Sequence, residues 1–231
     1  MDFDALKESL PSFAGGALMT VELTLAALAL GMLLAVPLAV ARGARSRWVC
    51  GPVWTFTYVL RGTPLLVQLF LLYYGLPQFD AVRDSFAWPW LRSATFCAIA
   101  AFTLNTCAYT IEILHGAMRA VPAGEIEAAR AMGMTRAVAL RRVILPSAFR
   151  RMLPAYGNEV ILMLQATSLA SAVTLLDLTG AAGEMNARFY LPFEAFLSAA
   201  ALYLAITLTL VGLFHAAERR WLTPWQARNS R

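Results

Sequence analysis

Long stretches almost free of charge constrain this chain before any other feature does. A helix needs roughly 20 mostly apolar residues to cross a bilayer. Five segments reach that length, at residues 14–40, 53–76, 93–114, 158–176 and 194–217. The first carries only Glu22. The second is interrupted by Arg61 and Pro64, and it has two readings: a span from Val53, or an interfacial stretch followed by a span that starts near Thr63. Of the 231 residues, 59% are hydrophobic and 14% charged. Soluble domains average about 25% charged, so a water-soluble fold could not hide this much apolar surface. The expected class is an all-α membrane protein, a single transmembrane domain over residues 1–231.

The basic residues give the orientation. Arg42, Arg45 and Arg47 follow the first span. Arg119, Arg130, Arg136, Arg141, Arg142, Arg150 and Arg151 lie between the third and fourth. Arg219, Arg220, Arg228 and Arg231 follow the fifth. The opposite side holds Lys7, Arg83, Arg92 and Arg188, with Arg61 at a boundary. Positive loops stay in the cytoplasm, so five spans put the N-terminus outside and the C-terminus in the cytoplasm. The same placement explains the net charge of +5 by a membrane and leaves no call for nucleic acid. Trp54, Trp88, Trp90, Trp221 and Trp225 fall near expected span ends, where aromatic belts form. Asp2, Asp4 and Glu8 outweigh Lys7, so the start is not read as a signal peptide. Phe3, Leu6 and Leu10 recur at helical spacing, so residues 2–12 are expected as a short helix on the membrane surface. Cys97 and Cys107 share one expected helix about 15 Å apart, beyond disulfide reach. With Cys50 they are read as packing residues.

The cytoplasmic loop at residues 119–157 is ordered by its own sequence. Pro122 suits the start of a helix because it lacks the amide hydrogen that would be unpaired there. Glu125 and Glu127 then complement the helix dipole. Gly133 suits a left-handed helix end, and Thr135 suits the cap of a second helix, which Pro146 is expected to stop. The loop therefore reads as helix–turn–helix. Ala128, Ala129, Ala131, Met132 and Met134 make it small and adaptable on one side. Apolar groups on such a loop need cover, from the protein's own helices or from another protein.

Glu127-Ala128-Ala129, three residues, Gly133, nine residues, Val143, one residue, then Leu145-Pro146 resembles the EAA loop of bacterial ABC-importer permeases, with Val143 in place of the usual Ile. RGTPLLVQL at 61–69, LPSAFRRMLPAYGNEVILML at 145–164 and the ending AERRWL at 217–222 resemble the polar-amino-acid branch, and most the HisM-type subunits of histidine/lysine/arginine/ornithine importers. The resemblance implies a permease subunit of the bacterial inner membrane that moves polar, and by this branch basic, amino acids or opines. It implies a second homologous permease subunit, two cytoplasmic ABC ATPase subunits and a periplasmic amino-acid-binding protein as partners in the bilayer. It also implies that Glu127, Ala128, Ala129, Met132, Gly133, Leu145 and Pro146 belong to the ATPase-coupling loop. ATP and Mg would sit in the partner ATPases, with no cofactor on this chain.

Ionisable groups inside spans are costly and usually face a cavity or a partner. Glu22 is the acid most suited to a site. Glu112 and Glu159 lie near the cytoplasmic ends of their spans, where pairing with loop arginines is the alternative. Thr103, Asn105, Thr106, Tyr109 and Thr110 cluster in the third span. Gln165, Thr167, Ser168 and Ser171 cluster in the fourth. Either helix–helix hydrogen bonding or a substrate path explains them. The path residues are Glu22, Asn105, Tyr109, Glu159, Gln165, Thr167 and Ser168. Relatives often carry Asp-Thr-Ser where Ala166-Thr167-Ser168 stands, so the missing acid points to the second subunit for a cationic substrate. Arg61 has three readings: phosphate headgroups, an acid or a helix end. Gly15, Gly16, Gly31 and residues 199–201 read as helix-packing positions, and Pro37 and Pro64 as kinks. His115 and His215 stand alone, without ligand spacing.

An intramembrane enzyme lacks its motifs here: there is no HExxH and no GxSxG. A P-loop needs a lysine, and Lys7 is the only one, outside any glycine-rich loop. The remaining alternative is a channel or scaffold not coupled to ATP.

Overall fold

In a computed structural model, which describes residues 3–221, every element is helical. Asp2, Leu222, Trp225, Arg228 and Arg231 lie outside the described residues. The chain begins with α1 (Phe3–Arg42) and α2 (Arg47–Gly62). A sharp break leads to α3 (Leu65–Phe70), which runs on through a π-turn at Leu71–Gly75 and a 3-10 turn at Leu76–Gln78. Two short helices follow, α4 (Asp80–Arg83) and α5 (Trp88–Leu91), then the long α6 (Ala94–Arg119). The loop carries α7 (Ala123–Ala131) and α8 (Arg136–Ala139). A π-turn at Leu140–Ile144 joins α8 to α9 (Leu145–Ala166), and a 3-10 segment extends it to Val173. The described chain closes with α10 (Leu178–Phe189) and α11 (Pro192–Trp221).

Three of these helices, α1, α6 and α11, are long and apolar enough to cross a membrane. The number is up to five if each bent pair counts as one span. One pair is α2 with α3, bent by 103°, and the other is α8–α9 with α10, bent by 46°. The 103° bend favours the reading in which the stretch before Thr63 and the stretch after it are separate segments. Pro64 forces the break, because its ring drives the preceding residue out of the helical region. Thr63 accordingly sits at φ −115°, ψ 143°.

Helix α6 is the axis of the bundle. Most of its apolar stretch is buried, whereas almost none of that of α11 is. Leu23, Ala27 and Leu28 of α1 meet Ala98, Ala101 and Phe102 of α6, with Leu69 of α3 and Met163 of α9 closing the core. Small residues set the spacing. A Cβ on Gly31 would collide with the Thr106 methyl, and one on Gly16 would sit 2.7 Å from the carbonyl oxygen of Asp177. Gly15 differs: nothing lies within 4 Å of its Cβ position, so it is not a packing glycine. Ala199 is buried, while Ala200 and Ala201 on the same helix are exposed.

Three expectations need correction. Residues 2–12 are not a separate surface helix, because α1 runs from Phe3 straight through Pro11. Ala5 and Phe13 pack on α10, so this end has a protein partner rather than a lipid surface. Pro146 does not stop the second loop helix. It occupies the first turn of α9, after a π-turn whose wider backbone absorbs the proline that an unbroken α-helix would reject. Residues 178–189, read as an outer loop, form α10. Asp177 caps it: its carboxylate accepts from the Gly180 amide at 2.9 Å and from the Tyr203 hydroxyl at 2.9 Å. The Thr20 hydroxyl accepts from the Leu178 amide at 3.2 Å. Asp177 is fully buried, so α1, α10 and α11 meet at one polar knot. Glu8 pairs with Arg188, and Ser12 donates to Glu184, further along the same seam.

The two neighbouring glycines give a direct test. Gly16→Ala should destabilise the protein by about 1–3 kcal/mol through a backbone clash, read as a lower melting temperature in detergent. Gly15→Ala should leave that temperature unchanged or slightly raise it.

Candidate functional site

The break between α2 and α3 opens a polar cavity of about 460 Å³ against α6 and α9. A helix that stops in apolar surroundings leaves carbonyls unpaired, and each costs several kcal/mol unless a partner is supplied. Gln68, one turn beyond the proline, supplies it. Its amide donates to the Leu60 carbonyl at 2.7 Å, the Thr63 carbonyl at 3.1 Å and the Thr63 hydroxyl at 2.8 Å. Asn105 on α6 donates to the Gln68 side-chain oxygen at 3.3 Å. The Thr63 hydroxyl in turn donates to the Val59 carbonyl at 2.9 Å. The motif RGTPLLVQL thus builds a broken helix together with its own repair.

The charged groups sit on this frame. Arg61, at the end of α2, lies over the Tyr109 ring with its guanidinium carbon 5.1 Å from the ring centre. Glu159 on α9 is buried and accepts from the Thr106 hydroxyl at 2.8 Å. Arg61, Asn105, Tyr109 and Glu159 line the same cavity, with Leu162, Met163 and Ala166 as its apolar wall. An arginine and a carboxyl group lining one cavity suit a zwitterion. The anion binds a ligand's cationic group, the cation binds its carboxylate, and the ring face takes an alkyl or cationic chain.

Of the candidate path residues, Asn105, Tyr109 and Glu159 come together here. The others do not line this cavity. Glu22 is exposed on α1. Gln165 is exposed and Ser168 half-buried, while Thr167 is buried and donates to the Leu164 carbonyl at 2.6 Å. Sequence reasoning left Arg61 undecided and passed over Gln68. A polar side chain one turn past a helix-breaking proline was the available signal. Glu112 is placed differently: it accepts from Arg42 at 2.9 Å and from Thr57 at 2.8 Å, tying α6 to α1 and α2.

The loop at residues 119–157 packs by one face and leaves the other bare. Ile126 and Ala129 of α7 turn inward, beside Val121, Ala148 and Met152. Glu125 meets Arg151 at 3.5 Å. Glu127, Ala128, Ala131 and Met132 face outward, Met132 with 77% of its surface exposed. Gly133 closes the helix at φ +77°. Its amide reaches the Arg130 carbonyl at 2.9 Å, and the Met134 amide reaches the Ala129 carbonyl at 3.1 Å, a Schellman end. The Thr135 hydroxyl then accepts from the Val138 amide at 3.4 Å. Leu145 is half-buried and Pro146 exposed at the start of α9.

Comparison with known proteins adds to this geometry. The family described as "Binding-protein-dependent transport system inner membrane component" matches residues 27–223. The octopine transport system permease protein OccM of Rhizobium radiobacter is 44% identical over 233 aligned residues, covering 100% of this chain and 94% of that protein. The histidine/lysine/arginine/ornithine transport system permease protein HisM of Salmonella typhimurium is 49% identical over 208, covering 90% and 88%. The crystal structure of an amino acid ABC transporter with histidines superposes with a TM-score of 0.85 at 36% identity, covering 95% of this chain and 99% of that one. A chain of the inward-facing MetNI methionine ABC transporter shares the fold, with a TM-score of 0.69 at 19% identity.

Removing the repair should damage the frame. Gln68→Leu removes the donor that answers the Leu60 and Thr63 carbonyls, leaving Leu60 only the longer contact from Asn105 at 3.5 Å, and should cost about 0.5–1.5 kcal/mol. Lower thermal stability in detergent, with Gln68→Asn intermediate, is the expected result.

Proposed function

Because the chain belongs to the family of binding-protein-dependent transport system inner membrane components, we propose that it is the permease subunit of an ATP-driven importer of amino acids or opines in the bacterial inner membrane. The observation that carries the mechanism is the bare outer face of α7, held in place on its inner side by buried Ala129, by Ile126 and by the Glu125–Arg151 pair. Glu127, Ala128, Ala131 and Met132 present a low ledge on which a partner can close without displacing long side chains. That partner is a cytoplasmic ABC ATPase, which also holds the ATP and Mg. Positive loops set the orientation, with the N-terminus outside and the C-terminus in the cytoplasm. A second homologous permease subunit completes the membrane part, a second ATPase serves it, and a periplasmic binding protein delivers cargo. This subunit carries no ATPase site of its own and works as a transport subunit, not an enzyme.

Cargo passes the cavity at the α2–α3 break. Arg61 offers a carboxylate partner, and Glu159 offers a partner for an amino or guanidinium group, which fits polar and basic amino acids and opines. Cargo displaces no backbone hydrogen bond on the way, because Gln68 and Asn105 already satisfy the break. Ligand binding thus competes with water and with the Arg61–Tyr109 contact only. Gln165, Thr167, Ser168 and Glu22 extend the path beyond the cavity or face the second subunit.

Two measurements test this reading. Purified gently from its native membrane, the tagged wild type should bring down an ATPase and a second permease. Gly133→Arg should lose the ATPase, while Gly133→Asn, which tolerates the left-handed backbone, should keep it. An ATP-independent conductance with no ATPase partner would instead support a channel. In the reconstituted complex, Glu159→Gln should lower uptake of a basic amino acid by about 10–100-fold through loss of a charge-assisted contact, with the ATPase still bound.

A further inference from the structure

A second cavity, of about 500 Å³, lies behind the loop, between the inner side of α7–α8 and the ends of α1 and α6. Four arginines line it: Arg45 after α1, Arg119 at the end of α6, Arg130 on α7 and Arg136 on α8. No carboxylate lines it. Of the neighbouring acids, Glu112 is engaged by Arg42 and Glu125 by Arg151, and Glu127 faces outward from α7. Among the described residues, no ion pair joins any of the four arginines. His115 also lines the cavity, and its Nδ1 is buried with no hydrogen-bond partner. The floor is apolar: Met118, Ile126, Ala139, Leu140 and Ile144.

The four arginines are exposed, and four like charges around an apolar floor draw an anion to it. The anion they suit has an apolar tail. Position agrees, because the cavity sits where two membrane-spanning helices end, at Arg42 and Arg119. Just beyond Arg45, α2 begins with Arg47 and Trp48, the latter with 92% of its surface exposed. Exposed tryptophan beside arginine marks headgroup depth. We propose that this cavity binds one anionic phospholipid, its phosphate held by Arg45, Arg119, Arg130 and Arg136 and an acyl chain laid against Met118, Leu140 and Ile144. The lipid lies on the opposite side of α7 from the bare ledge, so it and a docked ATPase occupy the loop together. It fastens the loop to the ends of α1 and α6.

The assignment rests on the bilayer placement above and on neither the cargo nor the ATPase. Its test therefore reads lipid retention, not transport. The complex is purified, exchanged into nanodiscs of phosphatidylcholine with or without phosphatidylglycerol, and the lipid it retains is counted by native mass spectrometry. The wild type should retain one phosphatidylglycerol in preference to phosphatidylcholine. Each neutralised arginine should weaken that preference about fivefold, so Arg119→Gln with Arg136→Gln should nearly abolish it, and lysine at both positions should restore most of it. Ala139→Phe, which fills the floor and keeps every arginine, should also expel the lipid. Arg141→Gln with Arg142→Gln, exposed on the π-turn, should not. Equal retention by the wild type and the Arg119/Arg136 glutamine variant overturns the proposal. So does displacement of the lipid by inorganic phosphate alone, which would make the cavity a phosphate site without use for a tail.

Discussion

The side-chain amide of Gln68 holds together the end of a helix that stops in the middle of the fold. In an apolar medium a broken helix is tolerated only where its freed backbone amides and carbonyls find partners, and this chain answers them at its breaks. At the α2–α3 break the partner is Gln68, braced by Asn105. Before α10 it is Asp177, which caps the new helix and ties it to Tyr203, while Thr20 answers the Leu178 amide. At the end of α7, Gly133 turns left-handed and closes two carbonyls by its own amide and its neighbour's. The cavity with Arg61 and Glu159 exists because the first of these breaks is stable enough to stay open.

Much of this was legible in the sequence, and the reasons differ by element. The apolar runs announced α1, α6 and α11, since a span needs length and little charge and both are counted directly. The loop was legible through chemistry: Gly133 and Thr135 occupy the helix-end places that suit them, and Pro122 stands immediately before the first residue of α7. What failed were the arguments that treated one residue in isolation. Pro146 alone suggests a stop, but a π-turn upstream leaves room for it. Leu-Asp-Leu-Thr-Gly before α10 carried a cap signal, yet the short helix behind it lacked the length of a span. Gly15 and Gly16 look alike in sequence and differ only in what faces them, which is a tertiary fact.

The two acids of the interior show the same limit. Glu112 and Glu159 both sit near span ends, and their sequence contexts do not separate them. In the fold one is locked by Arg42 and Thr57 into a structural tie. The other faces a cavity with a single hydroxyl on it and an arginine across from it. The difference lies in which neighbours the helix break delivers, and that break is a property of another helix altogether.

One feature of the loop bears on how far movement can travel. From Arg136 to Val173 the backbone is a continuous rod, α8 through π-turn to α9 and its 3-10 end, with no loop between. At about 1.5 Å per residue, Glu159 lies roughly 35 Å along it from Arg136. A rod of this kind works as a lever, with α6 as its bearing. It has two compliant joints: the π-turn at Leu140–Ile144, where wider hydrogen-bond rings make the backbone softer than α-helix, and Pro154, which removes a hydrogen bond inside α9. Under the proposed coupling, a tilt at the loop reaches the cavity beside Glu159 only after passing both joints.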